Sequence, residues 1–110
     1  MMPISKSKPT AGVLQEAIRR IVDVADPEKI ILFGSLARED ASLDSDIDLL
    51  VIKSRVHRRR LAQRIYLALL GLGHPVDVVV ATPADVERFG HSQALVISTA
   101  MREGRVVYNA

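Results

Sequence analysis

Two aspartates stand where the sequence otherwise predicts a buried strand. Asp46 and Asp48 open a segment that continues as an unbroken apolar run from Leu49 to Ile52. Aspartate is depleted in strands, and an unpaired carboxylate is costly to bury. Positions i and i+2 of a strand point to the same face, so both charges meet the same surroundings. Something must compensate this charge, and a divalent cation is the simplest candidate.

The remaining hydrophobic pattern predicts an alternation of helices and strands. Helical spacing of apolar residues runs from Gly12 to Ala25 and again from His57 to Leu72. Thr82-Pro83 resembles a helix start, with threonine as the N-cap and proline at the first helical position. Short helices are also predicted over 35–39 and 91–103, and strands over 29–33, 46–53, 75–81 and 105–108. This order, αβ(α)βαβααβ, predicts an α/β (α+β) fold with helices packed on a mixed sheet.

Length and composition fit one cytoplasmic domain. The chain has 110 residues, of which 48% are hydrophobic and none is cysteine, so it can build a core without disulfides and has no thiolate chemistry. We expect residues 1–10 to form a flexible tail and residues 11–110 to form a single domain. No apolar run is long enough to span a membrane, and the first ten residues lack the apolar stretch of a signal peptide.

Chain order predicts that a third aspartate joins the first two. Gly34-Ser35 ends the first strand and Asp46 begins the second, so these points meet only if the two strands are antiparallel. A helix joins the second strand to the third, which favours a parallel crossover. Asp77 lies near the start of the third strand, so the parallel arrangement brings it beside Asp46 and Asp48. Three carboxylates are therefore predicted at one end of the sheet.

Converging carboxylates point to metal and phosphate chemistry. Two unit charges about 4 Å apart repel by roughly 4 kcal/mol at an effective dielectric constant near 20. Oxygen ligands without nearby histidine or cysteine suit Mg²⁺, and a two-ion site can hold a triphosphate for in-line displacement. Gly34 lets the backbone approach a ligand closely, and Ser35 begins a helix whose first amides favour phosphate.

These residues resemble a known superfamily. Gly34-Ser35, ten further residues, Asp46-x-Asp48 and a later strand aspartate, Asp77, resemble the nucleotidyltransferases that include DNA polymerase beta. The fuller strings, Gly34 to Arg38 and Ser45 to Val51, are similar to those of the minimal nucleotidyltransferases, and the resemblance covers roughly residues 12–108. Those proteins are small and prokaryotic, and many are antitoxins paired with a HEPN-domain toxin.

The resemblance implies an activity and a set of roles. It implies Mg²⁺-dependent transfer of a nucleoside monophosphate, AMP from ATP as the expected case, to a tyrosine hydroxyl on the partner toxin. Asp46 and Asp48 would bind two Mg²⁺ ions. Asp77 would complete the second metal site and help to deprotonate the acceptor. The expected nucleotide contacts are Gly34 and Ser35 on the β- and γ-phosphates, with Arg38 either on phosphate or paired with a neighbouring carboxylate.

One departure from the family pattern keeps an alternative open. Members commonly have glycine after the arginine, where this chain has Glu39, and a carboxylate beside a phosphate site weakens nucleotide binding unless it faces away. The alternative is a catalytically weak or inactive module that neutralises a toxin by masking it. For the enzymatic hypothesis, the shortness of the chain leads us to expect that the acceptor is carried by another macromolecule. The nucleotide and the oligomeric state, including a homo-oligomer, stay open.

A run of arginines has two readings. Arg58, Arg59 and Arg60 follow the second strand, at the end of the sheet far from the carboxylates, so we expect either a solvated face or a surface that docks a partner. Aromatic residues make up 4% of the chain and the net charge is +2. Neither value favours nucleic acid as a direct ligand.

Overall fold

The computed structural model describes residues 11–38, 46–90 and 95–110, which form a four-stranded mixed sheet with helices on both faces. The elements follow the predicted order: α1 Ala11–Ala25, β1 Lys29–Phe33, α2 Ser35–Arg38, β2 Ile47–Ile52, α3 Arg58–Ala68, β3 Val76–Ala81, α4 Pro83–Phe89, α5 Val96–Glu103 and β4 Arg105–Asn109. The predicted α/β fold with a mixed sheet is confirmed.

Strand pairing brings several chain segments to one end of the sheet. The strands lie in the order β3-β2-β1-β4. β1 is antiparallel to both β2 and β4, whereas β2 and β3 are parallel and joined by α3. Both predicted pairings of β2 are therefore confirmed. As a result, the end of β1 lies beside the starts of β2, β3 and β4. We call this end of the sheet the carboxylate end.

The central strand β2 is buried on both faces, which explains its continuous apolar run. Leu49 and Val51 pack in the layer that includes α1 and α3. Leu50 and Ile52 pack in the layer with Ala100 of α5. Because side chains alternate along a strand, Asp48 lies on the same face as Leu50 and Ile52. The aspartate therefore lies at the edge of the layer formed by α4 and α5.

Several boundaries differ from those predicted. β2 begins at Ile47, so Asp46 precedes the strand, and β3 begins at Val76. The helix α3 ends at Ala68 instead of Leu72, because Gly71 and Gly73 have φ angles of 83° and 86° and turn the chain away. The predicted tail, the residues 39–45 and the first part of the predicted helix 91–103 lie outside the described residues. None of the described helices has the length and apolarity needed to cross a membrane.

Thr82 is the N-cap of α4, as predicted, and the structure adds that Asp85 makes this cap reciprocal. The Thr82 hydroxyl accepts a hydrogen bond from the Asp85 backbone N–H at 3.1 Å. The Asp85 carboxylate accepts from the Thr82 backbone N–H at 3.0 Å and from Arg58 Nη1 at 3.1 Å. The hydrogen bond from the Thr82 backbone is the main cause that lowers the pKa of Asp85, and the positive charge of Arg58 adds to it.

Asp85→Ala should reduce the free energy of unfolding by about 1–2 kcal/mol at pH 7, because it removes half of this cap and the partner of Arg58. Since the folded-state pKa of Asp85 is lowered, its stabilisation is present above the pKa of the unfolded chain, about 4, and is lost as the pH falls through the folded-state pKa. Urea unfolding across this range measures the effect. Asp23→Ala, at an exposed position of α1, is the control. A difference between wild type and Asp85→Ala that stays constant with pH would contradict this account.

Candidate active site

The carboxylate end places two of the predicted aspartates side by side. Asp48 is the second residue of β2, opposite Phe33 at the end of β1 and in register with Asp77 on the parallel strand β3. Neighbouring strands lie about 4.8 Å apart. Asp46 lies just before β2 and is exposed. Asp48 and Asp77 therefore lie side by side at the predicted end of the sheet, and Asp46 lies at the same end without being gathered into one cluster with them.

Gly34 lies against the Asp48 carboxylate. Its φ angle is +79°, a left-handed conformation that glycine adopts without strain. A Cβ atom at this position would overlap Asp48 Oδ2 and stand 3.2 Å from its Cγ. The sequence assigned Gly34 a role toward phosphate, and the structure adds this close packing against a carboxylate. Any other residue at position 34 would displace the Asp48 side chain.

The helix α2 begins directly after this glycine. The Ala37 backbone N–H donates to the Gly34 carbonyl at 3.1 Å and closes the first turn. Ser35 and Arg38 are the first and last residues of α2, and Glu39 lies outside the described residues. The first N–H groups of a helix have no carbonyl partner within it, and they favour an anion. Backbone donors for phosphate thus follow the glycine that touches Asp48.

The charge on Asp48 is disfavoured by its surroundings. Burial is the main cause that raises the pKa of its carboxyl, and the negative charges of Asp77 and Asp46 raise it further. Asp48 is partly buried, whereas Asp77 and Asp46 are exposed. A carboxylate that is both desolvated and repelled by its neighbours gains most from a bound cation.

The carboxylates of this site suit Mg²⁺, although the described residues do not form a complete set of metal ligands by themselves. Across residues 11–38, 46–90 and 95–110, no group of three or more histidine, cysteine, aspartate or glutamate side chains is gathered to hold a metal ion. Mg²⁺ is commonly held by one or two carboxylates together with substrate phosphates and water, so a complete protein cage is not required. Asp48 and Asp77, in register on neighbouring strands, can supply such a pair.

The sequence of the whole domain matches a known family. The profile of the nucleotidyltransferase domain matches residues 14–107, which is most of the chain. The chain belongs to the nucleotidyltransferase domain family. No curated protein sequence matches this nucleotidyltransferase significantly.

Solved structures share the fold of this nucleotidyltransferase. A Sulfolobus solfataricus protein provisionally named a nucleotidyltransferase matches with a TM-score of 0.62 and 18% identity over 88% of this chain and 78% of its own. A toxin–antitoxin MntA-HpeT structure, in which two aspartates are changed to glutamate, matches with a TM-score of 0.51 and 20% identity over 87% and 72%. A toxin–antitoxin structure with AMP-PNP matches with a TM-score of 0.51 and 21% identity over 87% and 73%. At these identities the likeness concerns the fold.

The arginine run lies away from this site, as predicted. α3 begins after the opposite end of β2, whose six residues span about 20 Å at 3.3 Å per residue. The sequence did not reveal that Val56 and Val80 line one cleft with these arginines. No local signal could reveal it, because the two valines belong to segments that only the crossover brings together.

Proposed function

We propose that this nucleotidyltransferase transfers a nucleoside monophosphate, AMP from ATP, to a hydroxyl group on a partner protein in an Mg²⁺-dependent reaction. The family supports nucleotidyl transfer. The observation that carries the proposal is the position of Asp48, packed against Gly34 on one side and in register with Asp77 on the other. Its carboxylate is costly to keep charged, and a divalent cation would relieve that cost.

Each residue of the carboxylate end has a place in this reaction. Asp46 and Asp48 would hold both Mg²⁺ ions, and Asp77 would share the second. Bound Mg²⁺ would neutralise triphosphate charge and lower the pKa of the attacking hydroxyl. The family pattern assigns phosphate contacts to Gly34, Ser35 and Arg38, and the amides that begin α2 are suitable donors.

The proposed transfer is an in-line displacement. The acceptor oxygen forms a bond to the α-phosphorus of the nucleotide, and the bond from that phosphorus to the β-phosphate oxygen breaks. The electron pair of the broken bond leaves with pyrophosphate, and the hydroxyl proton passes to a carboxylate oxygen of Asp77. Holding the two reacting oxygens in line supplies much of the rate, because phosphoryl groups need positioning more than covalent assistance.

The solved structures supply the reason for naming ATP and a toxin. One of the toxin–antitoxin structures contains AMP-PNP, an analogue of ATP. In another, the two altered aspartates are two positions apart, the spacing of Asp46 and Asp48 here. We therefore infer an antitoxin, and the resemblance to the minimal nucleotidyltransferases leads us to propose a HEPN-domain toxin as its partner and acceptor and the cytoplasm as the place where it acts.

The transfer can be tested with the product of the adjacent gene as the partner protein. We expect label from [α-³²P]ATP to appear on the partner when Mg²⁺ is present, and intact-mass spectrometry to show a matching mass increase of one nucleotide. [γ-³²P]ATP should leave the partner unlabelled, because the γ-phosphate departs in pyrophosphate. Transfer of γ-label would indicate a kinase, and no transfer of either label would contradict the proposal for this partner.

A growth assay separates transfer from masking. Expression of the partner alone should arrest growth, and wild-type protein should restore it. Asp46→Asn should fail to restore growth if neutralisation requires transfer. Restoration by Asp46→Asn, with the partner unmodified, would instead establish the alternative in which the protein neutralises its toxin by binding alone.

A further inference from the structure

A cleft at the end of the sheet opposite the carboxylates combines positive charge with an apolar floor. Its volume is about 590 Å³, and it is lined by Val56, His57, Arg58, Arg59 and Val80. His57, Arg58 and Arg59 are exposed, whereas Val80 is buried and Val56 is partly so. We call this set the basic cleft. It shares no residue with the carboxylate end.

The residues at the start of α3, which line the basic cleft, are unfavourable for the stability of this helix. Three arginines occupy the first turn of α3 and no acidic residue accompanies them, although the N-terminus of a helix favours negative charge. The N-cap is His57, whose Nδ1 accepts from the Arg60 backbone N–H at 3.3 Å, where serine or aspartate caps more strongly. Arg55, two residues before it, has a φ angle of +58°, which glycine or asparagine adopts at lower cost.

Only part of this cost is compensated within the described part of the chain. Arg58 pairs with Asp85 at 3.1 Å. No ion pair among the described residues neutralises Arg55 or Arg59. A segment that departs from several local rules at once, with only partial compensation inside the described part of the chain, is typical of a surface kept for binding.

We propose that the basic cleft docks an acidic, partly apolar segment of the partner protein. Carboxylates of that segment would meet Arg58 and Arg59, and an apolar side chain between them would cover Val56 and Val80. Arginine beside a small apolar floor is the usual composition of a protein interface. This proposal depends on the proposed function in one respect, because it assumes that the acceptor is a protein.

The chemistry of the cleft favours protein over nucleic acid. A phosphodiester backbone offers no apolar group to cover the two valines. The lining also contains no phenylalanine, tyrosine or tryptophan, the side chains that usually form a platform for stacked bases. Docking at this end would place the partner about 20 Å from Asp48, across the length of β2, which lies within a protein interface of standard size.

The test uses a labelled helical peptide of about 20 residues that presents glutamates and a central leucine on the same face. Anisotropy at about 0.15 M salt measures its affinity for the full chain. We expect Arg59→Glu to weaken binding at least about tenfold. Arg60→Glu is the matched control: it makes the same charge change in the same turn, but Arg60 does not line the cleft. It should change affinity less than about threefold, because charges outside the cleft are screened.

A stability measurement guards against misfolding. Both reversals place glutamate at a helix N-terminus, so both should raise Tm by roughly 2–5 °C. A peptide with glutamine in place of glutamate should bind weakly to every variant. Equal effects of Arg59→Glu and Arg60→Glu, or no binding of the acidic peptide to wild type, would overturn the proposal.

Two further binding measurements separate this proposal from nucleic-acid binding and from the proposed function. Tighter binding of an RNA duplex than of the acidic peptide, lost in Arg59→Glu, would assign the cleft to nucleic acid and overturn the proposal. Asp46→Asn should bind the acidic peptide as wild type does. A failure of nucleotide transfer with intact peptide binding therefore counts against the proposed function alone, and lost peptide binding with intact transfer counts against the basic cleft alone.

Discussion

Asp48→Asn should lower nucleotide transfer to the partner by about 10³-fold or more, because it removes the charge that both proposed Mg²⁺ ions share. Asparagine has nearly the same shape as aspartate, so it fits between Gly34 and Asp77 without repacking. Label transfer from [α-³²P]ATP measures the loss. Asp23→Asn, an equal charge change at an exposed position of α1, should transfer label at the wild-type rate.

The same substitution should not destabilise the protein when Mg²⁺ is absent. Burial and the negative charges of Asp77 and Asp46 raise the pKa of Asp48, so the charged form opposes folding. Asp48→Asn removes that cost and should leave Tm unchanged or higher. Loss of activity together with higher Tm is the result expected of a residue kept for function, and a large drop in Tm would show that Asp48 supports the fold instead.

Mg²⁺ supplies the complementary measurement. If Mg²⁺ binds the wild-type protein with a Kd of about 1 mM, then about 10 mM Mg²⁺ should add about 1.4 kcal/mol to its free energy of unfolding. Asp48→Asn should lose most of this gain, and Asp23→Asn should keep it. Equal stabilisation of all three proteins would mean that the ion binds elsewhere.

The position of Asp77 could be predicted from chain order alone. A helix between two strands favours a parallel crossover, and both Asp48 and Asp77 stand near the starts of their strands. The structure pairs them in register, but chain order predicts only that they share one end of the sheet, because an apolar run that is buried on both faces does not fix the register of its strand. The start of α4 was equally predictable, because a Thr-Pro cap depends on neighbours in sequence.

Contacts between distant segments could not be predicted in the same way. The predicted end of α3, at Leu72, is too late, because Leu69 and Leu72 continue the apolar spacing of the helix. In the structure Leu69 is already the C-cap. Leu72 packs against the core although it lies after the end of the helix. Its burial explains why the apolar pattern continues where the helical backbone has already ended. The basic cleft depends on residues 24 positions apart, Val56 and Val80, and no local pattern connects them.

Gly34 has one feature that the neighbouring sequence predicts and one that depends on contact with a distant segment. A glycine directly after an apolar strand predicts a turn, and the φ angle of +79° agrees with it. Its contact with Asp48 depends on the antiparallel register that sets Phe33 opposite Asp48. This contact is the basis of a prediction that separates the backbone role of a glycine from its steric role.

Gly34→Ala should reduce nucleotide transfer by about 10²-fold or more, because the new methyl group would overlap Asp48 Oδ2 and displace the carboxylate from its place beside Asp77. It should also cost about 1–2 kcal/mol of stability, since alanine is strained at positive φ. Transfer of label from [α-³²P]ATP and urea unfolding measure the two effects separately.

Gly71→Ala is a matched control for this substitution. Gly71 has a similar φ angle, +83°, and a Cβ atom there would meet no other atom within 4 Å. Alanine at position 71 should therefore show the backbone cost, about 1–2 kcal/mol, with wild-type transfer and wild-type stabilisation by Mg²⁺. If both variants lost stability equally and both retained transfer, the contact between Gly34 and Asp48 would have no part in catalysis. Loss of transfer in Gly34→Ala alone would instead show that the site requires open space beside Asp48, which only glycine provides.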